Sequence, residues 1–298
     1  MAETLKVGFV GGGLMGLGMA KNLLAKGFAV TLMGNRNRAP IENLVSLGAV
    51  EVSSPREVAE ASDLVILCLP NSGVVDQVVL GADGIVEGAR AGLIVADATT
   101  ADPSETKRIG AALAEKGVAM LDAPMTMTPK EAEAGTLNVL VGGDEAIFVK
   151  ARPALESYAK NIFHVGPLGA AHSLKLINNF MSMSMVALFA EAVTTARKAE
   201  VSVEGLNELI SAGALNNVLF QKVMAWPLNQ DPSGLQFAIQ KALKDVTYYN
   251  RVAADCGGTS PIGSTVQQIY ALACAQGEGE THVPKLMDVL SRLNGIDK

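Results

Sequence analysis

The stretch KVGFVGGGLMGLGMA, residues 6–20, decides the fold of the first half of the chain. Lys6–Val10 is a short apolar run typical of a buried strand, and Met15–Lys26 has the composition of a helix. Between them, three glycines fit the pattern G-x-G-x-x-G: Gly11, Gly13 and Gly16. The first permits a tight turn, the second admits a pyrophosphate, and the third lets the helix pack closely on the strand. This strand-turn-helix context favours a dinucleotide site over a glycine-rich turn without a ligand.

Short β-branched runs alternate with helical stretches up to about residue 165. The further predicted strands are Phe28–Met33, Leu64–Leu69, Leu93–Asp97, Ala119–Leu121 and Asn138–Val141. The predicted helices among them are Pro55–Ala61, Ser104–Lys116 and Asp144–Tyr158. Apolar strands separated by helices indicate a parallel sheet covered on both faces. The expected fold class is α/β, with a Rossmann-type doubly wound sheet in a dinucleotide-binding domain over residues 1–165.

Residues 166–298 are expected to form an all-α domain for substrate binding and dimerisation, because no strand pattern follows Gly166. A long helix is predicted from about Gly169 to Ala199, with four helices after it: Val203–Ala212, Phe237–Ala254, Ile262–Gln276 and Pro284–Leu293. Apolar residues at helical spacing predict the buried face of the long helix: Leu174, Ile177, Met181, Leu188 and Ala192.

Composition narrows the possible partners and locations. The 298 residues carry a net charge of −6 without a basic stripe, which argues against nucleic-acid binding. The longest apolar stretch, Leu176–Ala190, is shorter than the ~20 residues that a bilayer span needs, and glycine crowding near the start argues against a secretory signal. The three cysteines and three histidines are too scattered for a disulfide framework or a metal site. A cytoplasmic location, no membrane partner and no metal are therefore expected.

The end of the second predicted strand bears on the choice of cofactor. An NAD site has an Asp or Glu there for the ribose, but no carboxylate occurs before Glu42. Arg36 instead offers a guanidinium suited to a 2′-phosphate, Asn35 can bond to the ribose, and Arg38 adds positive charge. The pattern favours NADP over NAD, with a solvated loop bearing two surface arginines as the alternative.

Three polar residues share one face of the long predicted helix. Lys175, Asn178 and Asn179 stand at positions i, i+3 and i+4, opposite the apolar stripe. A lysine acts as a general base when burial or nearby positive charge lowers its pKa. On spacing alone, an exposed lysine beside helix-capping asparagines is an equally good interpretation.

The sequence as a whole resembles the β-hydroxyacid dehydrogenase family. The resemblance rests on four motifs in order: Gly11-x-Gly13-x-Met15-Gly16-x-x-Met19-Ala20-x-Asn22-Leu23; Asp122-Ala123-Pro124 with Gly135-Thr136-Leu137 and Val141-Gly142-Gly143; Gly166-x-x-Gly169 through Lys175 to Asn178-Asn179; and Lys244-Asp245, seven residues after Phe237. It covers nearly the whole chain. It implies an NAD(P)-dependent enzyme that interconverts a small hydroxy acid and its semialdehyde, and a homodimer or homotetramer.

The resemblance also implies roles for individual residues. Lys175 is the implied catalytic acid/base and Asn179 a substrate ligand, while Lys244, steadied by Asp245, lies near the nicotinamide. The expected cofactor contacts are Gly11, Gly13, Leu14, Met15, Asn35, Arg36, Leu69, Pro70, Thr99 and Lys244. Structural alternatives are an ordinary strand end for Leu69-Pro70, a helix cap for Thr99 and a surface pair for Lys244-Asp245.

One loop departs from the family pattern. After Asp-Ala-Pro the family usually has Val-Ser-Gly-Gly, which binds the substrate carboxylate, whereas this chain continues with residues 125–130, MTMTPK. The expected substrate contacts in the loop are Thr126, Met127 and Thr128, with Thr126 replacing the serine hydroxyl. Sulfolactaldehyde reductases of the family also lack the glycine pair, and Lys130 is better explained as a solvated lysine than as a ligand. The sequence therefore leaves open whether the substrate carries a carboxylate or a sulfonate.

Two other functions compete with a hydroxy acid enzyme. Imine reductases share the architecture but usually carry Asp or Tyr where Lys175 stands. Non-catalytic NADP-binding or scaffold relatives typically lose that lysine. The retained lysine favours an enzyme, and an NADP preference favours the reductive direction.

Overall fold

The computed structural model describes residues 5–34 and 37–296. The chain divides into two compact units, the first ending at Lys175 and the second beginning at Leu176. This division falls inside one continuous helix, so the domain boundary after residue 165 stays a prediction.

The first unit alternates strands and helices. Its strands are β1 (Val7–Val10), β2 (Val30–Met33), β3 (Val50–Val52), β4 (Leu64–Leu67), β5 (Ile94–Asp97), β6 (Ala119–Asp122), β7 (Met125–Thr126), β8 (Leu137–Gly142) and β9 (Ala159–Gly166). Its helices are α1 (Leu14–Ala25), α2 (Ala39–Ser46), α3 (Pro55–Glu60), α4 (Ser72–Leu80), α5 (Ile85–Gly88), α6 (Pro103–Ala114), α7 (Pro129–Ala134) and α8 (Glu145–Leu155).

These strands form one sheet with the order β3-β2-β1-β4-β5-β6-β8-β7, and β9 pairs with β8. The strands from β3 to β6 are parallel, and β1, β4 and β5 are buried along their whole length. The order of strands reverses between β1 and β4. In open α/β sheets, ligands bind outside the carboxyl ends of the strands at such a point.

The expectation of a wholly parallel sheet is wrong at one end. Strand β8 pairs antiparallel with both β6 and β7. Strand β7 continues β6 in the same direction after a two-residue break, and both pair with β8 in one antiparallel register, Asp122 opposite Gly142 and Met125 opposite Val139. An apolar strand has the same composition in a parallel and in a mixed sheet, so the pattern of residues did not reveal this reversal.

The second unit is helical. Helix α9 (Ala170–Lys198) leads into it, and the later helices are α10 (Val203–Ser211), α11 (Val218–Asn229), α12 (Ile239–Asp255), α13 (Pro261–Ala275) and α14 (Leu286–Leu293). Between residues 176 and 296 the structure has no strand, only one isolated bridge between Ala238 and His282. The expected fold class, an α/β Rossmann-type unit followed by a helical one, is confirmed.

The predicted buried face of α9 is wrong for the single chain. Four of its five residues are exposed, with 40% of Leu174, 41% of Ile177, 59% of Met181 and 64% of Leu188 accessible to solvent. The residues of α9 that do enter the core of the second unit include Met183, Val186, Phe189, Ala190 and Val193. Apolar residues occupy more than one face of this helix, so periodicity alone could not choose between them.

Among the described residues, α9 is long and apolar enough to meet the length and composition criteria for a bilayer span. Core helices of folded domains pass the same test. Its apolar residues Val186, Ala190 and Val193 pack in the core of the second unit, which accounts for their presence.

Candidate active site

The glycine turn between β1 and α1 fits a dinucleotide. Gly11 has φ +115°, and a Cβ there would lie 2.1 Å from the carbonyl oxygen of Cys68, so no other residue fits. A Cβ on Gly13, by contrast, would meet no described atom within 4 Å. Gly13 is the N-cap of α1, no described side chain caps the helix, and its first turn holds no acidic residue. Backbone N–H groups are thus available to a pyrophosphate at the positive end of the helix.

The predicted contacts after β4 and β5 lie at the same edge of the sheet. The Leu69 amide donates to the Thr99 hydroxyl at 3.0 Å, and the Thr99 amide donates to Asp97 at 2.9 Å. Thr99 is buried and Pro70 is exposed. Because Asp102 is the N-cap of α6, the alternative of Thr99 as a helix cap does not apply. Burial raises the pKa of the Asp97 carboxyl above its usual range.

The residues expected to select the cofactor are only partly described. Asn35 and Arg36 lie outside the described residues. Arg38 forms a two-pronged ion pair with Glu51 on β3, at 2.7 and 2.9 Å. The Arg38 guanidinium holds the pKa of Glu51 below its usual range. Arg38 is therefore already engaged by a carboxylate.

The first turn of α9 is tied to the end of β6 by Asp122. This carboxylate is fully buried and accepts the amides of Gly169 at 2.8 Å and His172 at 2.7 Å. A carboxylate at this position satisfies N–H groups that the helix itself leaves unpaired and lies at the positive end of its dipole. Lys175, half-buried, follows His172 by three residues on the same helix. Asp122 thus fixes the start of the helix that carries the predicted acid/base.

A second contact holds the same turn. The His172 ring is fully buried, and its Nδ1 lies 2.8 Å from the hydroxyl of Thr106, which in turn donates to the carbonyl of Asp102. The roles of His172 and Asp122 were not predicted from the sequence. The sequence could have indicated a role for Asp122, because it stands at the end of a buried strand, where a carboxylate needs hydrogen-bond partners.

The loop that departs from the family pattern is fixed on both sides. Thr126 pairs with Asn138 in the sheet, and its hydroxyl lies 3.3 Å from the Asn138 amide nitrogen. Thr128 is the N-cap of α7, and its hydroxyl and its amide both donate to the carboxylate of Glu131. Between them Met127 has φ +87° and is 55% exposed. Lys130 is also exposed, as expected of a solvated lysine.

In the second unit, α9 and α12 bring three predicted residues together. The Asn179 amide donates to Asp245 at 2.7 Å, and Asp245 forms an ion pair with Lys244 at 3.1 Å. Asp245 is 1% exposed, and the Lys244 ammonium lies 5.3 Å from the centre of the Tyr248 ring. Lys244-Asp245 is therefore part of a partly buried network with Asn179 rather than a surface pair.

The predicted site residues thus form groups within each unit. The first unit holds the glycine turn with Leu14 and Met15, the ends of β4 and β5, the loop 126–128 and Lys175; the second holds Asn179 and Lys244. Among the described residues no group of three or more His, Cys, Asp or Glu could hold a metal ion.

Two family models together match most of the sequence. A family model described as the NAD binding domain of 6-phosphogluconate dehydrogenase matches residues 6–166. A second, described as the NAD-binding domain of NADP-dependent 3-hydroxyisobutyrate dehydrogenase, matches residues 169–290.

Curated relatives and solved structures agree with the family models. The 2-(hydroxymethyl)glutarate dehydrogenase of Eubacterium barkeri is 32% identical over 99% of this chain and 98% of its own. The 3-sulfolactaldehyde reductase of Escherichia coli is 31% identical over 92% of this chain and 91% of its own. The crystal structure of 3-hydroxyisobutyrate dehydrogenase from Salmonella typhimurium is similar with a TM-score of 0.83 and 26% identity, covering 95% of this chain and 99% of that one. The chain belongs to the β-hydroxyacid dehydrogenase family of NAD(P)-dependent oxidoreductases.

Proposed function

We propose that this chain interconverts a small hydroxy acid and its semialdehyde with NADP(H), acts chiefly as a reductase, and uses Lys175 as the general acid/base. The observation that carries the proposal is the support given to Lys175. It lies on α9 just beyond a turn whose amides are held by the buried Asp122. A half-buried ammonium on an anchored helix is the kind of group that transfers a proton at a fixed position.

The nicotinamide supplies or accepts hydride when the cofactor is bound. In reduction, the carbonyl carbon gains a hydride while its oxygen takes a proton from the Lys175 ammonium, which gives the alcohol and a neutral amine. In oxidation, the neutral amine removes the hydroxyl proton as the carbon loses hydride. The glycine turn and α1 hold the pyrophosphate through backbone N–H groups.

We assign substrate orientation to the loop 126–128 and to Asn179. Thr126 offers its hydroxyl and Met127 an exposed apolar side chain to the substrate. Thr128 contributes by fixing the loop, because its hydroxyl is bonded to Glu131. Asn179 binds the substrate from α9 and is oriented by Asp245. Lys244 contributes positive charge close to the nicotinamide. The substrate carries a carboxylate or a sulfonate, and these groups orient it for reaction.

The NADP preference is supported by the sequence after β2. No carboxylate follows that strand before Glu42, and Arg36 and Asn35 offer a guanidinium and an amide. The preference is tested by comparing kcat/KM for NADPH and NADH in wild type and in Arg36→Ala. We expect wild type to favour NADPH and the variant to lose that preference. Equal kcat/KM for the two cofactors in wild type would refute it.

The reaction is tested by following NADPH absorbance at 340 nm with acid aldehydes: 2-hydroxy-3-oxopropionate, succinic semialdehyde and 3-sulfolactaldehyde. We expect oxidation of NADPH with at least one of them. Tight NADPH binding with no turnover would favour a non-catalytic binding protein, and turnover confined to cyclic imines would favour an imine reductase.

A second copy of the chain is the proposed partner. The exposed apolar residues Leu174, Ile177, Met181 and Leu188 follow one another along α9. Apolar side chains arranged in this way favour burial against another protein. A homodimer or homotetramer is therefore part of the proposal.

A further inference from the structure

Helices α1 and α7 touch through their backbones. A Cβ built on Gly18 of α1 would lie 2.6 Å from the carbonyl carbon of Ala132 and 2.6 Å from the amide nitrogen of Glu133, both in α7. Separations this short force one of the partners to move, and the nearby atoms are backbone that cannot rotate away. Only glycine therefore permits the observed approach of the two helices.

Asn22 of α1 joins the same two helices by hydrogen bonds. Its Nδ2 lies 2.8 Å from the carbonyl of Gly18, 2.9 Å from that of Ala132 and 3.1 Å from that of Glu133. The last carbonyls of a helix lack partners within the helix. Asn22 thus donates, from another helix, to two carbonyls near the carboxyl end of α7.

The two helices begin at different parts of the proposed site. Helix α1 starts at the glycine turn, and α7 starts directly after the loop 126–128 with Thr128 as its N-cap. Helix α7 has six residues and is about 9 Å long, so a shift at its carboxyl end is carried to the loop at its amino end.

We propose that Gly18 and Asn22 are positioning residues that set the substrate loop 126–128 relative to the cofactor turn. The inference rests on the proposed function, in which this loop contacts the substrate. It assigns to Asn22, in the motif Met19-Ala20-x-Asn22-Leu23, an action on the substrate through α7 rather than on the cofactor.

The two helices differ in how firmly they are held. Helix α1 buries Gly16, Met19, Ala20 and Leu23 in the core of the first unit, whereas α7 buries only Ala132. If the contact between them is disturbed, the less anchored helix moves. Disturbance should therefore displace the substrate loop and leave the glycine turn in place.

The test uses Gly18→Ala, which adds a methyl group against α7, and Asn22→Asp, which keeps the size of the side chain but replaces the donor with an acceptor. Lys21→Ala is the matched control, because Lys21 also joins α1 to α7 but only through a solvent-exposed ion pair with Glu133 at 3.2 Å. Three quantities are measured on the full chain: the Kd of NADPH from its fluorescence, the KM and kcat with the aldehyde that wild type reduces fastest, and amide hydrogen exchange of residues 126–135.

We expect both variants to raise the KM or lower the kcat/KM of the aldehyde by about 10- to 100-fold, since displacement of a substrate-positioning loop by about 1 Å has effects of this size. The Kd of NADPH should stay within about 2-fold, and exchange in residues 126–135 should accelerate while exchange in α1 does not. Lys21→Ala should match wild type in all three.

Unchanged aldehyde kinetics and unchanged exchange in both variants would overturn the inference while leaving the proposed function intact. Equal losses in NADPH affinity and aldehyde kinetics would overturn it as well, because they would assign the two residues to the cofactor site or to general stability. A wild-type chain that reduces none of the aldehydes would overturn the proposed function instead, and the exchange data would still report whether α1 holds α7.

Discussion

At the scale of single residues, Met127 has a strained backbone in the loop between β7 and α7. A φ of +87° is a region that residues with a Cβ rarely adopt. The conformation persists because Thr126 is paired in the sheet and Thr128 caps α7, so the chain on both sides is fixed. Strained residues held by their surroundings concentrate at functional sites. Met127 therefore has an exposed apolar side chain at a cost in backbone strain.

Met127→Gly should stabilise the protein and alter catalysis at the same time. Relief of the strained backbone should raise the free energy of unfolding by roughly 1 kcal/mol. Loss of the side chain should change kcat/KM for acid aldehydes by about 10-fold or more. Denaturant unfolding and steady-state kinetics check the two effects.

Gln230→Gly serves as the control for strain alone. Gln230 also has a positive φ, +57°, but it lies at the end of α11 and outside the proposed site. It should gain stability without a change in kcat/KM. A Met127→Gly variant that is less stable than wild type, or that has wild-type kinetics, would contradict this account of the loop.

At the scale of elements, features that depend on local pattern were predicted well from the sequence. The strand-turn-helix around Gly13, the buried strands β4 and β5 and the length of α9 were expected and are present. The short edge strand β3 and the helices α2, α4 and α11 were not predicted. Strand β3 is largely exposed and only three residues long, and α11 contains Pro227, a residue that usually signals the end of a helix.

The contacts that tie elements together could not be predicted in the same way. Asp122 was recognised only as part of a family motif, and its bonds to Gly169 and His172 join positions 47 and 50 residues apart in sequence. Such pairings depend on where the sheet places the end of β6. Periodicity and composition contain no information on that position.

Asp122→Asn should loosen the start of α9. Asn keeps one acceptor oxygen but loses the charge and the second acceptor, so we expect a loss of about 2–4 kcal/mol in the free energy of unfolding. We also expect kcat to fall about 10-fold or more while the Kd of NADPH stays within about 2-fold. Urea unfolding, kinetics at saturating NADPH and NADPH titration measure these quantities.

Asp144→Asn is the matched control. Asp144 accepts the amides of Ala146 at 2.9 Å and Ile147 at 3.1 Å at the start of α8, but it is exposed and remote in sequence from Lys175. It should change the free energy of unfolding by less than about 0.5 kcal/mol, because Asn caps a helix about as well as Asp, and it should leave kcat unchanged. If both variants lowered kcat equally, the anchoring role of Asp122 would be disproved.

At the scale of the whole molecule, α9 has two apolar surfaces. One enters the core of the second unit, and the other is the exposed set of Leu174, Ile177, Met181 and Leu188. The spacing of residues predicted the second set as the core face. The error has a physical cause, because both surfaces of α9 are apolar and spacing alone does not distinguish a core face from an exposed apolar face.

Met181→Glu and Leu188→Glu should weaken self-association. A charge on an apolar interface is left without a partner when it is buried, so we expect the variants to shift toward monomer by at least about 10-fold in dissociation constant. Sedimentation velocity at micromolar concentration measures the shift, with Val149→Glu on the exposed face of α8 as the control. A monomeric wild type at that concentration would refute the proposed partner.

If the Lys175 ammonium exchanges the proton in the reaction, Lys175→Met should remove most of the activity. Methionine keeps an unbranched side chain that is one atom shorter but cannot transfer a proton. We predict that kcat for the preferred acid aldehyde falls about 10²- to 10⁴-fold, while the Kd of NADPH and the unfolding midpoint remain close to those of wild type. Turnover near the wild-type rate in this folded, NADPH-binding variant would show that Lys175 is not the general acid/base.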